Sequence, residues 1–132
     1  MDRGLILETT FLVDLEREAL RGEEGRAWAF LDREPETRLC ISLVTAGELA
    51  CGPRVAGRAS WERVFQRFDV LAPDGNVAWR YGRTFQYLRG QGLLIGTNDL
   101  WIAATPLAHE MPVVTRNVVD FQRVPGLEVR SY

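Results

Sequence analysis

The sequence contains no lysine, and all 16 of its basic residues are arginine. That excludes a lysine Schiff base and the lysine that reaches the phosphates in a P-loop. Histidine is almost as scarce, with His109 alone. One chain therefore cannot build a two-histidine metal site or a His/His acid–base pair. The only cysteines are Cys40 and Cys51, each in a mostly apolar stretch. Disulfide scaffolds are cysteine-dense, so both are read as reduced core residues of a cytoplasmic protein. No apolar run approaches the ~18 residues that span a bilayer, so no membrane association is expected. Met1-Asp2-Arg3-Gly4 has no long apolar segment behind it, which argues against a signal peptide.

The formal net charge is -2, so the molecule as a whole offers no basic field to a polyanion. Local arginines would have to meet one. At 132 residues the chain is expected to form a single domain, residues 1–132, large enough to bury one real core. What it has in quantity is carboxylate, with 18 Asp and Glu. If the protein is an enzyme, these are its working groups.

Short apolar runs at 5–7, 39–43, 70–71, 113–115 and 127–129 read as buried parallel strands. Helical spacing lies between them. Phe11, Leu12, Leu15 and Ala19 share one face, and Trp28, Phe30 and Leu31 mark a second helix. Residues 45–50 open a third, and Trp61, Val64, Phe65 and Phe68 mark a fourth. A long amphipathic helix over 77–88 is expected to end at Gly90 and Gly92, and 100–109 is apolar almost all round, as in a buried helix. The charged stretches 16–24 and 32–36 read as solvated faces. Strands alternating with helices imply an α/β fold, a parallel sheet covered on both faces. Functional groups in such sheets gather beyond the carboxyl ends of the strands.

Acids recur at those ends. Glu8 follows the first strand and Glu48 comes soon after the second. Asp99 opens the buried helix, and Asn117 and Asp120 follow Val113-Val114-Thr115. Anions gathered together repel unless a cation joins them or some are protonated. Mg²⁺ and Mn²⁺ take oxygen ligands, and such an ion activates water and neutralises charge on a phosphodiester. Capping is the competing account. Thr45-Ala-Gly-Glu48 fits a capping box, and Asn117 with Asp120 fits a helix start.

Four segments taken in order resemble the PIN-domain family, and within it the VapC-type ribonuclease toxins of bacterial toxin–antitoxin pairs. They are Leu-Ile-Leu-Glu-Thr-Thr-Phe-Leu-Val-Asp-Leu at 5–15, Ile-Ser-Leu-Val-Thr-Ala-Gly-Glu-Leu-Ala at 41–50, Ile-Gly-Thr-Asn-Asp-Leu-Trp-Ile-Ala-Ala at 95–104, and Val-Thr-Arg-Asn-Val-Val-Asp-Phe at 114–121. Val-Pro-Gly-Leu at 124–127 looks like the family's ending. The resemblance implies a three-layer α/β/α domain with a central five-stranded parallel sheet. It implies a Mg²⁺- or Mn²⁺-dependent endoribonuclease acting on RNA, neutralised by a VapB-type antitoxin and commonly a homodimer. It sets the catalytic and metal-holding acids at Glu8, Glu48, Asp99 and the Asn117/Asp120 segment, with Asp120 preferred for its charge and Asn117 kept as a neutral auxiliary.

One departure matters. The family's first acid is an aspartate, and here it is Glu8. The added methylene displaces the carboxylate by ~1.5 Å, a misplacement that can cost ~10²-fold in rate. A catalytically attenuated module that mainly binds an antitoxin is the alternative. Thr10 and Thr115 are auxiliary candidates, and Arg116 is a candidate for an RNA phosphate contact. Asp14 reads as peripheral, His109 as a helix-end cation, and the four tryptophans as core or interface. A phosphoacceptor receiver domain also uses strand-end acids, but it normally needs a strand-end lysine.

Overall fold

In the computed structural model, which describes residues 4–53 and 55–132, strands and helices alternate along the chain. Residues 1–3, where the leader question falls, lie outside the described residues. The strands are β1 (Leu5–Leu7), β2 (Leu39–Ser42), β3 (Asp69–Leu71), β4 (Val113–Val114) and β5 (Val129–Arg130). All pair in parallel, in the order β3-β2-β1-β4-β5. The order turns back at β1, which has β2 on one side and β4 on the other. A crevice opens beyond the carboxyl ends at such a point.

Alternation within each short strand builds two cores. Leu5 and Leu7 point to one side, where α1 (Thr9–Arg21), α2 (Arg26–Asp32), α3 (Leu43–Ala50) and α4 (Arg58–Val64) contribute Phe11, Leu12, Phe30, Ala46 and Trp61. Ile6 points to the other side. There α5 (Gly75–Gln91), α6 (Thr97–His109) and α7 (Val118–Phe121) supply Leu88, Leu100, Ile102 and Phe121. The flanking strands keep the same alternation, Ile41 and Val114 joining the first core and Cys40 and Val113 the second. Each fully buried side chain of this size is worth about 1.5–3 kcal/mol. The expected three layers and five parallel strands are therefore present. Among the described residues, no helix is long and apolar enough to cross a membrane.

Several boundaries differ from expectation, each for a local reason. β2 stops at Ser42 because its hydroxyl accepts the Thr45 N–H at 3.0 Å, which starts α3 at Leu43. Thr45 is thus inside the helix, and no capping box forms with Glu48. β5 begins at Val129 because the chain first turns at Gly126, with φ +79°, before Glu128 O can accept Val113 N–H at 2.9 Å. α5 runs through Gly90 and ends at Gly92, whose φ of +68° is the left-handed conformation that suits glycine. Cys40 is buried as expected, but Cys51 is exposed because it caps the end of α3. Trp79 is also exposed, with Arg83 over its ring.

The stretch 16–24 is a solvated face as expected, with Glu18 its one half-buried residue. Its carboxylate accepts the N–H groups of Gly25, Ala27 and Trp28 at 2.8–3.0 Å, which satisfies the otherwise uncapped start of α2. Position 25 must be glycine for this to work, since a Cβ there would sit 2.6 Å from Glu18 Cδ. Glu18→Ala is expected to cost about 2 kcal/mol, or roughly 6–10 °C in Tm. Gly25→Ala should cost a similar amount, and the double variant no more than either alone. Thermal denaturation of the three variants checks this.

Candidate active site

Glu8 is the residue directly after β1, and its backbone N–H continues the ladder to Val114 O at 3.0 Å. Its side chain is only 3% exposed. One carboxylate oxygen accepts the hydroxyls of Thr10, at 2.6 Å, and of Thr115; the other accepts the Thr10 N–H at 3.1 Å. Glu8 is thus the N-cap of α1 and a bridge from β1 to the end of β4, across the crevice. The auxiliary candidates Thr10 and Thr115 both act on it. Thr115 Oγ1 in turn accepts the Asn117 N–H at 2.9 Å.

Glu48 sits on α3 and does not cap it. Its Oε1 accepts the Thr9 hydroxyl at 2.6 Å and its Oε2 accepts Asn98 Nδ2 at 3.5 Å. These contacts hold Glu48 against the starts of α1 and α6. Asp99 lies in the first turn of α6, whose N-cap, Gly96, has no side chain to offer. Asp120 lies in the first turn of α7; its Oδ2 accepts Asn117 Nδ2 at 3.1 Å, and Arg123 stands 3.9 Å from Oδ1. Asn117 and Asp120 are therefore a pair.

The electrostatics tie the four acids together. Asp99 is half-buried, and its carboxyl is pushed up to about 6. Burial is the largest cause, followed by the negative charges of Glu8, Glu48 and Asp120. Glu8, Glu48 and Asp120 are thus each near enough to act on Asp99. Among the described residues, however, no three carboxylates close into a ready cation cage.

The donor chemistry nevertheless fits a hard divalent cation. Every candidate ligand offers oxygen, with no imidazole or thiolate nearby, and the cluster carries repulsion that a cation would relieve. Sequence reading missed Thr9 and Asn98, which hold Glu48. It had only adjacency as a signal, because Thr9 stands between two residues already marked. Asp14, read as peripheral, pairs with Arg116 Nη1 at 2.8 Å and accepts the Tyr132 hydroxyl at 2.6 Å. Tyr132 carried no signal in the sequence.

Residues 5–127 match the PIN domain. The chain belongs to the PIN-domain family. It is 35% identical over 105 residues to Ribonuclease VapC1 of Haemophilus influenzae, covering 74% of this chain and 77% of that protein. It is 31% identical over 128 residues to Ribonuclease VapC1 of Rickettsia felis, covering 96% and 94%. The structure resembles that of VapBC-1 from nontypeable Haemophilus influenzae with a TM-score of 0.76, at 28% identity over 96% of each chain. VapBC2 from Rickettsia felis, bound to a DNA fragment from their promoter, shares the fold with a TM-score of 0.80, at 23% identity over 97% and 98% of the chains. Within this PIN fold, Glu8 follows β1 and Asp120 comes shortly after β4, with Glu48 on α3 and Asp99 at the start of α6.

Crowding at Asp99 has a measurable consequence for the metal-free protein. Its folded-state carboxyl titrates above the ordinary value of 3.8, so its ionisation opposes folding. That penalty is absent below about pH 4 and complete above about pH 6. Solvent screening of a half-exposed group limits it to roughly 1 kcal/mol. Asp99→Asn is expected to melt above the unaltered chain at pH 7 in chelator, and the gap should close as pH falls from 6 to 4. Denaturation series at those pH values measure it.

Proposed function

We propose that the protein is a metal-dependent endoribonuclease toxin that cleaves RNA phosphodiesters and is neutralised by a VapB-type antitoxin. The carrying observation is the gathering of Glu8, Glu48, Asp99 and Asp120 around the point where the parallel sheet's order turns back, Glu8 tied to Thr115 beyond β4 and Glu48 tied to the starts of α1 and α6. Relatives named Ribonuclease VapC support the reaction class. The ion would be Mg²⁺ or Mn²⁺, with Asp99, Glu48, Asp120 and Glu8 to hold it and Asn117 as a neutral auxiliary. When bound, such an ion makes water a better nucleophile and takes up charge on the phosphodiester.

The chain's own residues do the rest. Thr9 and Asn98 fix the direction of Glu48. Thr10 and Thr115 fix Glu8, and Asn117 fixes Asp120. These donors are neutral, so they orient carboxylates without cancelling the charge a cation needs. Arg116, 56% exposed at the rim, is the group to meet a substrate phosphate.

The antitoxin reading has its own support. An apolar cavity of about 210 Å³ is lined by Leu12, Leu15, Trp28, Trp61 and Phe68. A second cavity shares Glu16, Leu49 and Val55 with it and reaches Thr9 and Glu48. A peptide lying along both would run from an apolar anchor to the acids. Solved relatives are VapBC complexes. A homodimer would cover the exposed Trp79 and Tyr87 of α5.

One observation favours the attenuated binding module as a second reading. Both oxygens of Glu8 are already engaged with Thr10 and Thr115. RNA cleavage in Mg²⁺ separates the two. The enzyme reading expects cleavage by the unaltered chain and a loss of ~10²-fold or more in Asp99→Asn; equal rates would overturn it. A silent chain that becomes active through Glu8→Asp would favour the second reading. Thr9→Val is expected to weaken the Mg²⁺-induced rise in Tm, and Thr9→Ser to restore it.

A further inference from the structure

Asp14 and Tyr132 take no part in the chemistry above, yet both are tied to its rim. Asp14 lies on α1, about one turn beyond Thr10. Its two carboxylate oxygens accept Arg116 Nη1 at 2.8 and 3.1 Å, and Oδ2 also accepts the Tyr132 hydroxyl at 2.6 Å. The Asp14 side chain is 18% exposed. The Tyr132 ring stands edge-on to the buried Phe11, with centroids 4.8 Å apart. Burial first, and then the hydrogen bond to Asp14, raise the phenol far above its ordinary range, so it remains a donor. Arg116 is held at its backbone too, where its N–H donates to Thr10 Oγ1 at 3.0 Å. That same hydroxyl donates to Glu8.

We propose that Asp14 and Tyr132 are positioning residues that hold Arg116 as a preformed clamp for an RNA phosphate beside the acid cluster. The inference rests on the ribonuclease reading. Arg116 stands between Thr115, which binds Glu8, and Asn117, which binds Asp120. A phosphate gripped there would lie beside the segment whose flanking residues hold Glu8 and Asp120. A free arginine loses rotamer freedom when it grips an anion, and a guanidinium already fixed through Nη1 loses less. Among the described residues, Asp14 is its one ion-pair partner, which leaves the Nε and Nη2 edge for two parallel bonds to phosphate. Bulk electrostatics alone predicts the opposite effect, because removing a carboxylate near a polyanion strengthens binding. The two accounts therefore differ in sign.

The test measures binding of a short labelled RNA at fixed salt to the full chain carrying Asp99→Asn, which blocks cleavage. Arg116→Ala in that background is expected to weaken binding about ten-fold, Asp14→Asn about five-fold and Tyr132→Phe about three-fold. The Asp14→Asn/Arg116→Ala double variant should bind no more weakly than Arg116→Ala alone. Arg116→Lys should not restore affinity, since lysine lacks the fork. In the chain with Asp99 intact, the Mg²⁺-induced rise in Tm should be the same with and without Tyr132→Phe. Unchanged or tighter RNA binding by Asp14→Asn overturns the inference, as does a double variant in which the effects multiply. Should Asp14→Asn fail to fold, the uncharged change Tyr132→Phe decides by the same criterion. If the unaltered chain cleaves RNA but these variants bind it normally, only the clamp is lost. If the chain neither binds nor cleaves RNA, the ribonuclease reading falls and takes the clamp with it.

Discussion

Crowding anions at the edge of a low-dielectric sheet is costly, and much of the crevice is arranged around that cost. Two acids outside the crevice are compensated directly: Glu18 by the N–H groups at the start of α2, Asp14 by Arg116 and Tyr132. Those inside are treated differently. Glu8 and Glu48 are held by hydroxyls and an amide, donors that aim a carboxylate but leave its charge in place. Asp120 has an arginine nearby, but only at 3.9 Å. Asp99 bears the result as a raised affinity for a proton. A cluster kept short of cations by its own neighbours is what the proposed metal-dependent reading requires.

The layers were legible because burial on both faces leaves a strong mark. Runs such as Leu5-Ile6-Leu7 and Val113-Val114 can hardly be anything but interior strands, and residues 100–109 carry apolar groups on every side. Glu8 and Asp120 were legible because each falls just after a strand; Asp99 instead opens α6 after another helix, and Glu48 lies within α3, so the expectation of a strand-to-helix junction at every acid does not hold. The supports of the acids were not legible. Thr9 acts on Glu48 across 39 positions, and Thr115 acts on Glu8 across 107. Tyr132 meets Asp14 across 118. Local spacing cannot encode such pairings, which exist only once the sheet has ordered its strands. Ends of elements were misjudged for a similar reason. Whether Ser42 closes a strand or opens a helix depends on one hydroxyl, and Gly90 and Gly92 look alike until the helix has chosen where to stop.

Glu8 carries two obligations. As an N-cap it satisfies the start of α1, and as a bridge it fastens β1 to the far side of the crevice. Its longer side chain reaches Thr115 with oxygens that also hold Thr10. On the proposed metal-binding reading, shortening it by a methylene would free a ligand but slacken a fold contact, so chemistry and stability would draw on the same two atoms.

The short central strand sets all of this through parity. β1 has three residues, and its odd and even positions feed opposite cores. A slip of one residue would exchange the two layers' side chains and present Ile6 where Leu5 and Leu7 belong. It would also draw Glu8 into the ladder or push it out beyond reach of Thr115. The packing that rejects the slip is thus also what sets the depth of the first acid in the crevice. Precision at position 8 comes from leucines and an isoleucine buried in the two cores.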